Sequence, residues 1–256
     1  MNTVIPLWPG SAPYADSSPN PRTPTLTAYP LEGASAAVIV CAGGAYAMKS
    51  DHEAGPVAEM LNAGGIAAYV LDYRVCPCHC LAPLEDARRA IRQVRGMGYR
   101  SVGILGFSAG GNLCCNAATH FDAGQPDATD PVERLSCRPD FFISCYSVVS
   151  FTQYPHIGSY MNLVGDPDGH RWDRYFSAEL NVTPETPPAF IWHTADDELV
   201  PVENSLLLAG ALSRAGVMFE MHIYPSGPHG LGLAPDYPEV RVWARQCVDF
   251  ILRNFG

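Results

Sequence analysis

The chain has 256 residues, 47% of them hydrophobic, which is enough to bury a substantial core and unlike a disordered or fibrous protein. Its 26 acidic residues against 16 basic ones leave a formal charge of -10, which argues against nucleic acid or an anionic membrane surface as partner and favours a neutral small molecule. No segment approaches the roughly 18 uninterrupted apolar residues of a membrane span, residues 1–8 lack a basic-then-apolar leader pattern, and nine scattered cysteines suit reduced thiols rather than a disulfide framework; together these predict a soluble, cytoplasmic, single-domain protein that is free to form a homo-oligomer.

Residues 6–30, rich in Pro, Ser and Thr, read as an extended N-terminal wrap with room for two short strands. Apolar runs then recur at 36–41, 66–71, 102–107, 141–146, 189–193 and 219–224, each short, continuous and rich in β-branched or aromatic residues, as strands buried on both faces should be. Between them lie helical patterns at 53–62, 83–95, 109–120 and 202–215, with a last one at 238–254. In the second helix Leu84, Ala87, Ile91 and Val94 form one apolar stripe. Strand and helix alternating in this way predicts an α/β fold, a mostly parallel, doubly wound sheet flanked by helices. The rhythm breaks at 147–188, which reads as an irregular lid-like insertion. Tyr154, Tyr160, Met161, Trp172, Tyr175 and Phe176 could line a pocket there, although each is as readily an aromatic anchor.

Cys76-Pro77-Cys78-His79-Cys80 contains zinc-ligand types, but no second Cys/His pair stands nearby and ligands so close together rarely complete a tetrahedron. The segment reads as a loop of semi-buried thiols, and no metal or organic cofactor is assigned to the chain.

The strongest local signal is Gly106-Phe107-Ser108-Ala109-Gly110, placed between an apolar run and a helical pattern. This is a nucleophile elbow in its required context: serine sits on a sharp strand-to-helix turn, and side chains at the flanking glycines would collide with neighbouring elements. Ser108 needs a base to take its proton and a third group to orient that base. Both should follow at later strand ends, the acid before the histidine. His193-Thr194-Ala195-Asp196-Asp197 stands where the acid belongs, with Asp197 preferred and Asp196 the alternative, and His193 close enough to support the site. Spacing alone does not decide between the two acids. His229, in the glycine-bearing turn Gly227-Pro228-His229-Gly230, is the predicted base, whereas His52, His79, His120, His156, His170 and His222 read as surface or structural. Backbone N–H groups for an oxyanion should come from Ala109 and from the glycine-bearing loop 41–46. Tyr46, Tyr160 and Trp192 are the predicted substrate contacts.

With these residues the chain resembles the α/β-hydrolase esterases related to carbohydrate acetyl esterases, a xylanase-associated or lipase-like group. The resemblance runs from about residue 38 to the C-terminus. Besides the elbow it rests on Cys41-Ala42-Gly43-Gly44-Ala45-Tyr46, Leu71-Asp72-Tyr73-Arg74-Val75, Ala82-Pro83-Leu84-Glu85-Asp86-Ala87-Arg88-Arg89-Ala90-Ile91, and Trp192-His193-Thr194-Ala195-Asp196-Asp197 through Val200-Pro201-Val202-Glu203-Asn204-Ser205. It implies a triad of Ser108, Asp197 and His229, with Gly44, Ala45 and Ala109 around the oxyanion, acting on short acyl esters such as acetylated sugars. The first loop departs from the family pattern, having Cys-Ala-Gly-Gly where relatives carry His-Gly-Gly-Gly or Pro-Gly-Gly-Gly. Two other readings compete: a serine peptidase of the prolyl-peptidase type, for whose usual propeller this chain has no room, and a non-catalytic binding protein, which typically loses a triad residue.

Overall fold

Each of the six apolar runs becomes a strand, and the predominantly hydrophobic ones from 36 to 193 suit a sheet covered on both faces. The computed structural model describes residues 3–18, 22–165 and 170–256. Among them one eight-stranded sheet is built from β1 (Val4–Pro6), β2 (Thr25–Tyr29), β3 (Ala36–Cys41), β4 (Ala67–Asp72), β5 (Ser101–Phe107), β6 (Phe141–Cys145), β7 (Ala189–Thr194) and β8 (Phe219–Tyr224), in spatial order β1-β2-β4-β3-β5-β6-β7-β8. The two N-terminal strands pair antiparallel, and every pairing from β4 to β8 is parallel.

Alternate residues of each strand feed two separate cores. Ala37, Ile39 and Cys41 of β3 share one core with Leu84, Ala87, Ile91 and Val94 of α2 (Ala82–Arg95), Leu113 and Ala117 of α3 (Ser108–Thr119), and Leu208 and Leu212 of α6 (Glu203–Ala215). On the other face Ala36, Val38 and Val40 meet Val57, Ala58 and Leu61 of α1 (Gly55–Ala63), and Trp243, Phe250 and Ile251 of α7 (Trp243–Phe255). The sheet is therefore doubly wound. From β3 the chain crosses to β4 on one side, and it later crosses to β5 on the other. The carboxyl ends of β3 and β5 thus border a switch in strand order, where open α/β sheets bind ligands.

Two segments differ from the sequence reading. Residues 147–188 carry two short helices, α4 (Ile157–Val164) and α5 (His170–Tyr175), and the segment is held to the body. Val149 and Ser150 donate their N–H groups to Asn204 Oδ1, Ala178 donates to Val149 O, and Phe151, Tyr160, Leu163 and Phe176 are buried. Periodicity over eight residues is too short to register, and α4 is capped by His156, which is not a usual capping residue. The last helix begins at Trp243, five residues later than predicted, because 231–243 are taken up by successive tight turns.

Candidate active site

The elbow is strained as the sequence requires. Ser108 has φ +52°, in the left-handed region, directly after the extended Phe107. A Cβ on Gly106 would lie 2.1 Å from Gly110 O, and one on Gly110 would lie 2.3 Å from Cys41 O. Only glycine at both places lets the strand, the turn and α3 pack this closely.

Ser108 Oγ lies 2.8 Å from His229 Nε2, and His229 Nδ1 lies 2.7 Å from Asp197 Oδ2. Asp197 has no side-chain exposure, while the His229 side chain keeps 12%, so the ring is reachable from solvent and its partner is not. The carboxylate collects further donors. Leu199 and Val200 N–H groups reach Oδ1 at 3.0 Å each, and His193 Nε2 reaches Oδ2 at 3.2 Å. Because His193 Nε2 also faces Val200 O at 2.9 Å, that nitrogen carries the proton, and Nδ1 accepts from the Ser205 hydroxyl at 2.8 Å. Burial by itself would raise the Asp197 carboxyl, but the hydrogen bonds from His193, His229 and Val200 outweigh it and hold the group well below the usual carboxylate range.

The neighbouring acid has a different task. Asp196 accepts from Ser226 Oγ at 2.6 Å and from Gly227 N–H at 2.8 Å, and these bonds lower its carboxyl. Thr194 Oγ1 adds a bond to Gly227 O at 2.7 Å. Asp196 therefore fixes the turn that carries His229, and Asp197 orients the ring itself.

The loop after β3 runs through three consecutive positive φ values, +127° at Gly44, +54° at Ala45 and +57° at Tyr46. A Cβ on Gly44 would lie 2.3 Å from Met48 O, so that residue must be glycine. Gly44 and Ala45 line a cleft of about 390 Å³ together with Ser108, His229, Met48, His52, His156 and Leu199. The Gly43 N–H is already committed, donating to Glu53 Oε2 at 2.7 Å. The Ala109 N–H lies in the first turn of α3, where backbone donors have no partner within the helix.

Three predicted substrate contacts are placed elsewhere. Tyr46 is buried, its hydroxyl donating to Asn112 Oδ1 at 2.9 Å. Trp192 is wholly buried in β7 and stacks on Trp243, with ring centroids 4.9 Å apart. Tyr160 points inward from α4 onto Phe151. All three carry large apolar area that the core takes up, and none lines the cleft. Of the described residues in 147–188 only His156 does so, and His52 joins it, although both read as surface or structural residues in the sequence.

Glu53 was also missed. It is 2% exposed and bridges the loop after β3 and the segment that follows His229: besides Gly43, it receives the Tyr146 hydroxyl at 2.5 Å, and that hydroxyl accepts from Gly232 N–H at 2.8 Å. Tyr146 also sets its ring edge-on to His229, with centroids 5.1 Å apart. No local pattern signals this network, because its members are far apart in sequence.

None of the nine cysteines forms a disulfide. No group of three or more His, Cys, Asp or Glu side chains is arranged to hold a metal ion among the described residues, and His79 instead stacks on Tyr14. Among the same residues no helix is long and apolar enough to cross a membrane.

Comparison with known proteins agrees with this fold. The chain is 44% identical to the acetyl ester-xyloside bifunctional hydrolase from Caldicellulosiruptor lactoaceticus, whose crystal structure superimposes with a TM-score of 0.94 over 98% of this chain and 96% of that one. It is 37% identical to endo-1,4-beta-xylanase B of Butyrivibrio fibrisolvens over 78% of this chain and 33% of that protein. It is 34% identical to the acetylxylan esterase of Xylanibacter ruminicola over 77% of this chain and 41% of that protein. The chain thus spans between a third and two fifths of the length of these curated relatives. Residues 29–212, well over half of the 256, match the BD-FAE family model, and with the α/β-hydrolase topology described above the chain belongs to the BD-FAE family.

Proposed function

We propose that the chain is a serine esterase, a carboxylic ester hydrolase of one domain that removes short acyl groups, acetyl in particular, from a carbohydrate. The observation that carries the reading is the unbroken contact from Ser108 Oγ through His229 to Asp197, at 2.8 and 2.7 Å. Neutral His229, its Nδ1–H donating to Asp197, accepts the Ser108 proton on Nε2 as Oγ attacks the ester carbonyl. The N–H groups of Ala109 and of Gly44 or Ala45 face the developing oxyanion, each such donor being worth roughly 3 kcal/mol of barrier. His229 then returns the proton to the leaving alcohol, and water repeats the sequence to release the acid.

Acetylxylan esterase and acetyl ester-xyloside hydrolase activities are named for the relatives, which supports an acetylated sugar as the substrate class here. The cleft walls of Met48 and Leu199 suit a short acyl chain or the apolar face of a sugar. Every residue of the site comes from one chain, so a homo-oligomer is not needed for the chemistry. Nine cysteines without a disulfide fit a reducing cytoplasm. The test is a panel of acetyl, butyryl and octanoyl esters of one sugar, read beside labelling by a fluorophosphonate. Fastest turnover of the acetyl ester with stoichiometric labelling of Ser108 is the outcome expected; no labelling of the folded protein would overturn the reading, and a preference for octanoyl would overturn its substrate half.

A further inference from the structure

His156 lines the same cleft as Ser108 and His229 yet takes no part in the relay. It caps α4: its Nδ1 accepts the Ser159 backbone N–H at 3.2 Å and lies 2.8 Å from Ser159 Oγ. A ring nitrogen that accepts an amide hydrogen bond carries no proton, so the neutral ring holds its proton on Nε2. Burial, and then the neighbouring His229, push this imidazole below its ordinary value, with Asp197 acting weakly the other way, so the neutral form is the working one. Among the described residues no hydrogen bond reaches Nε2. Two of the other polar side chains that line the cleft are committed to the fold: His52 Nε2 to Gly230 O at 2.8 Å, and Glu53 to Gly43 and Tyr146.

An N–H donor on a ring that caps a helix and lines the cleft can recognise an acceptor oxygen. His229 must hand its proton to the leaving alcohol, and His156 lines the same cleft as His229, so its ring is placed to meet the alcohol half of the ester. Resting on the esterase reading above, we propose that His156 is a specificity-determining residue: its Nε2–H donates to an oxygen of the sugar that bears the acyl group, selecting esters of polyoxygenated alcohols over esters whose alcohol has no acceptor near the scissile bond.

Asparagine separates this role from the structural one. It is among the best N-caps, so His156→Asn keeps the bond from Ser159 N–H while withdrawing the donor from the cleft. Glutamine does the reverse, placing an amide N–H near the position of Nε2. Two substrates are compared in steady state, methyl tri-O-acetyl-xyloside and p-nitrophenyl acetate, with thermal melting as a check on folding. His156→Asn is expected to lose about tenfold in kcat/KM on the xyloside, mostly through KM, and to stay within about twofold on p-nitrophenyl acetate; His156→Gln recovers part of the loss. An equal fall on both substrates would overturn the assignment, because His156 would then be acting through the relay. Wild-type kinetics of His156→Asn on both would overturn it as well, leaving only a cap. A wild-type protein inert to both substrates and unlabelled by a fluorophosphonate would instead sink the esterase reading, and this assignment with it.

Discussion

Adjacent aspartates with unlike partners make the sharpest contrast at the scale of single residues. Asp197 receives N–H groups from two backbone amides and two imidazoles, whereas Asp196 receives a hydroxyl and an amide from the turn that carries His229. Asp197→Asn places an amide N–H against His229 Nδ1–H, which drives the ring to the wrong tautomer; kcat is expected to fall about 10⁴-fold with the fold intact. Asp196→Asn keeps an acceptor for Gly227, and kcat should stay within about tenfold. Steady-state rates on p-nitrophenyl acetate, beside circular dichroism, distinguish the two. Sequence spacing placed both acids at the right strand end but could not rank them, because the choice depends on which carboxylate the loop 196–200 turns inward. The three mistaken substrate contacts have the same origin: an aromatic residue near a motif looks alike on paper whether its ring faces the cleft or the core.

Whole elements set these geometries, and the bridge through Glu53 joins two of them. Glu53→Ala would leave the Gly43 N–H and the Tyr146 hydroxyl without their acceptor in a buried place, at about 1–3 kcal/mol each. A lower urea midpoint is expected, together with slower turnover as the oxyanion loop and the histidine loop lose their common tie. A second brace lies at the end of β4. Arg74 and Asp86 form a buried ion pair at 2.7 Å, and the Arg74 backbone N–H also donates to Asp86 at 2.9 Å. Burial raises the Asp86 carboxyl and the Arg74 contacts pull against it. Asp86→Ala strands a buried guanidinium and should cost about 3–5 kcal/mol in denaturant unfolding. Both residues lie in the stretches that carry the family resemblance, so the resemblance there reflects a packing device rather than the chemistry. Helices α2, α3 and α6 were legible as helical patterns, α2 from its apolar stripe as well. Helices α4 and α5 were not, since six or eight residues hold fewer than three turns of pattern.

Across the whole molecule the central strands β3, β5, β6 and β7 were readable because they are buried along their whole length, a consequence of helices covering both faces. β8 was readable despite being an edge strand with only Tyr224 fully buried, because its run is bounded by turn residues on both sides. The Asp197 carboxyl also couples the site to global stability. Its folded value lies below the unfolded one of about 3.9, so its contribution is complete above that pH and is lost as pH falls toward the folded value. Between about pH 5 and about pH 3 the urea midpoint should therefore drop more steeply in the wild type than in Asp197→Asn. All of this turns on a hydroxyl, an imidazole and a carboxylate acting as one unit. The most direct test is kcat of Ser108→Ala on an acetyl ester, with folding confirmed by thermal melting. A loss of roughly 10⁴-fold or more with an unchanged melting temperature is expected, and turnover within tenfold of the wild type would contradict the assignment of Ser108 as nucleophile.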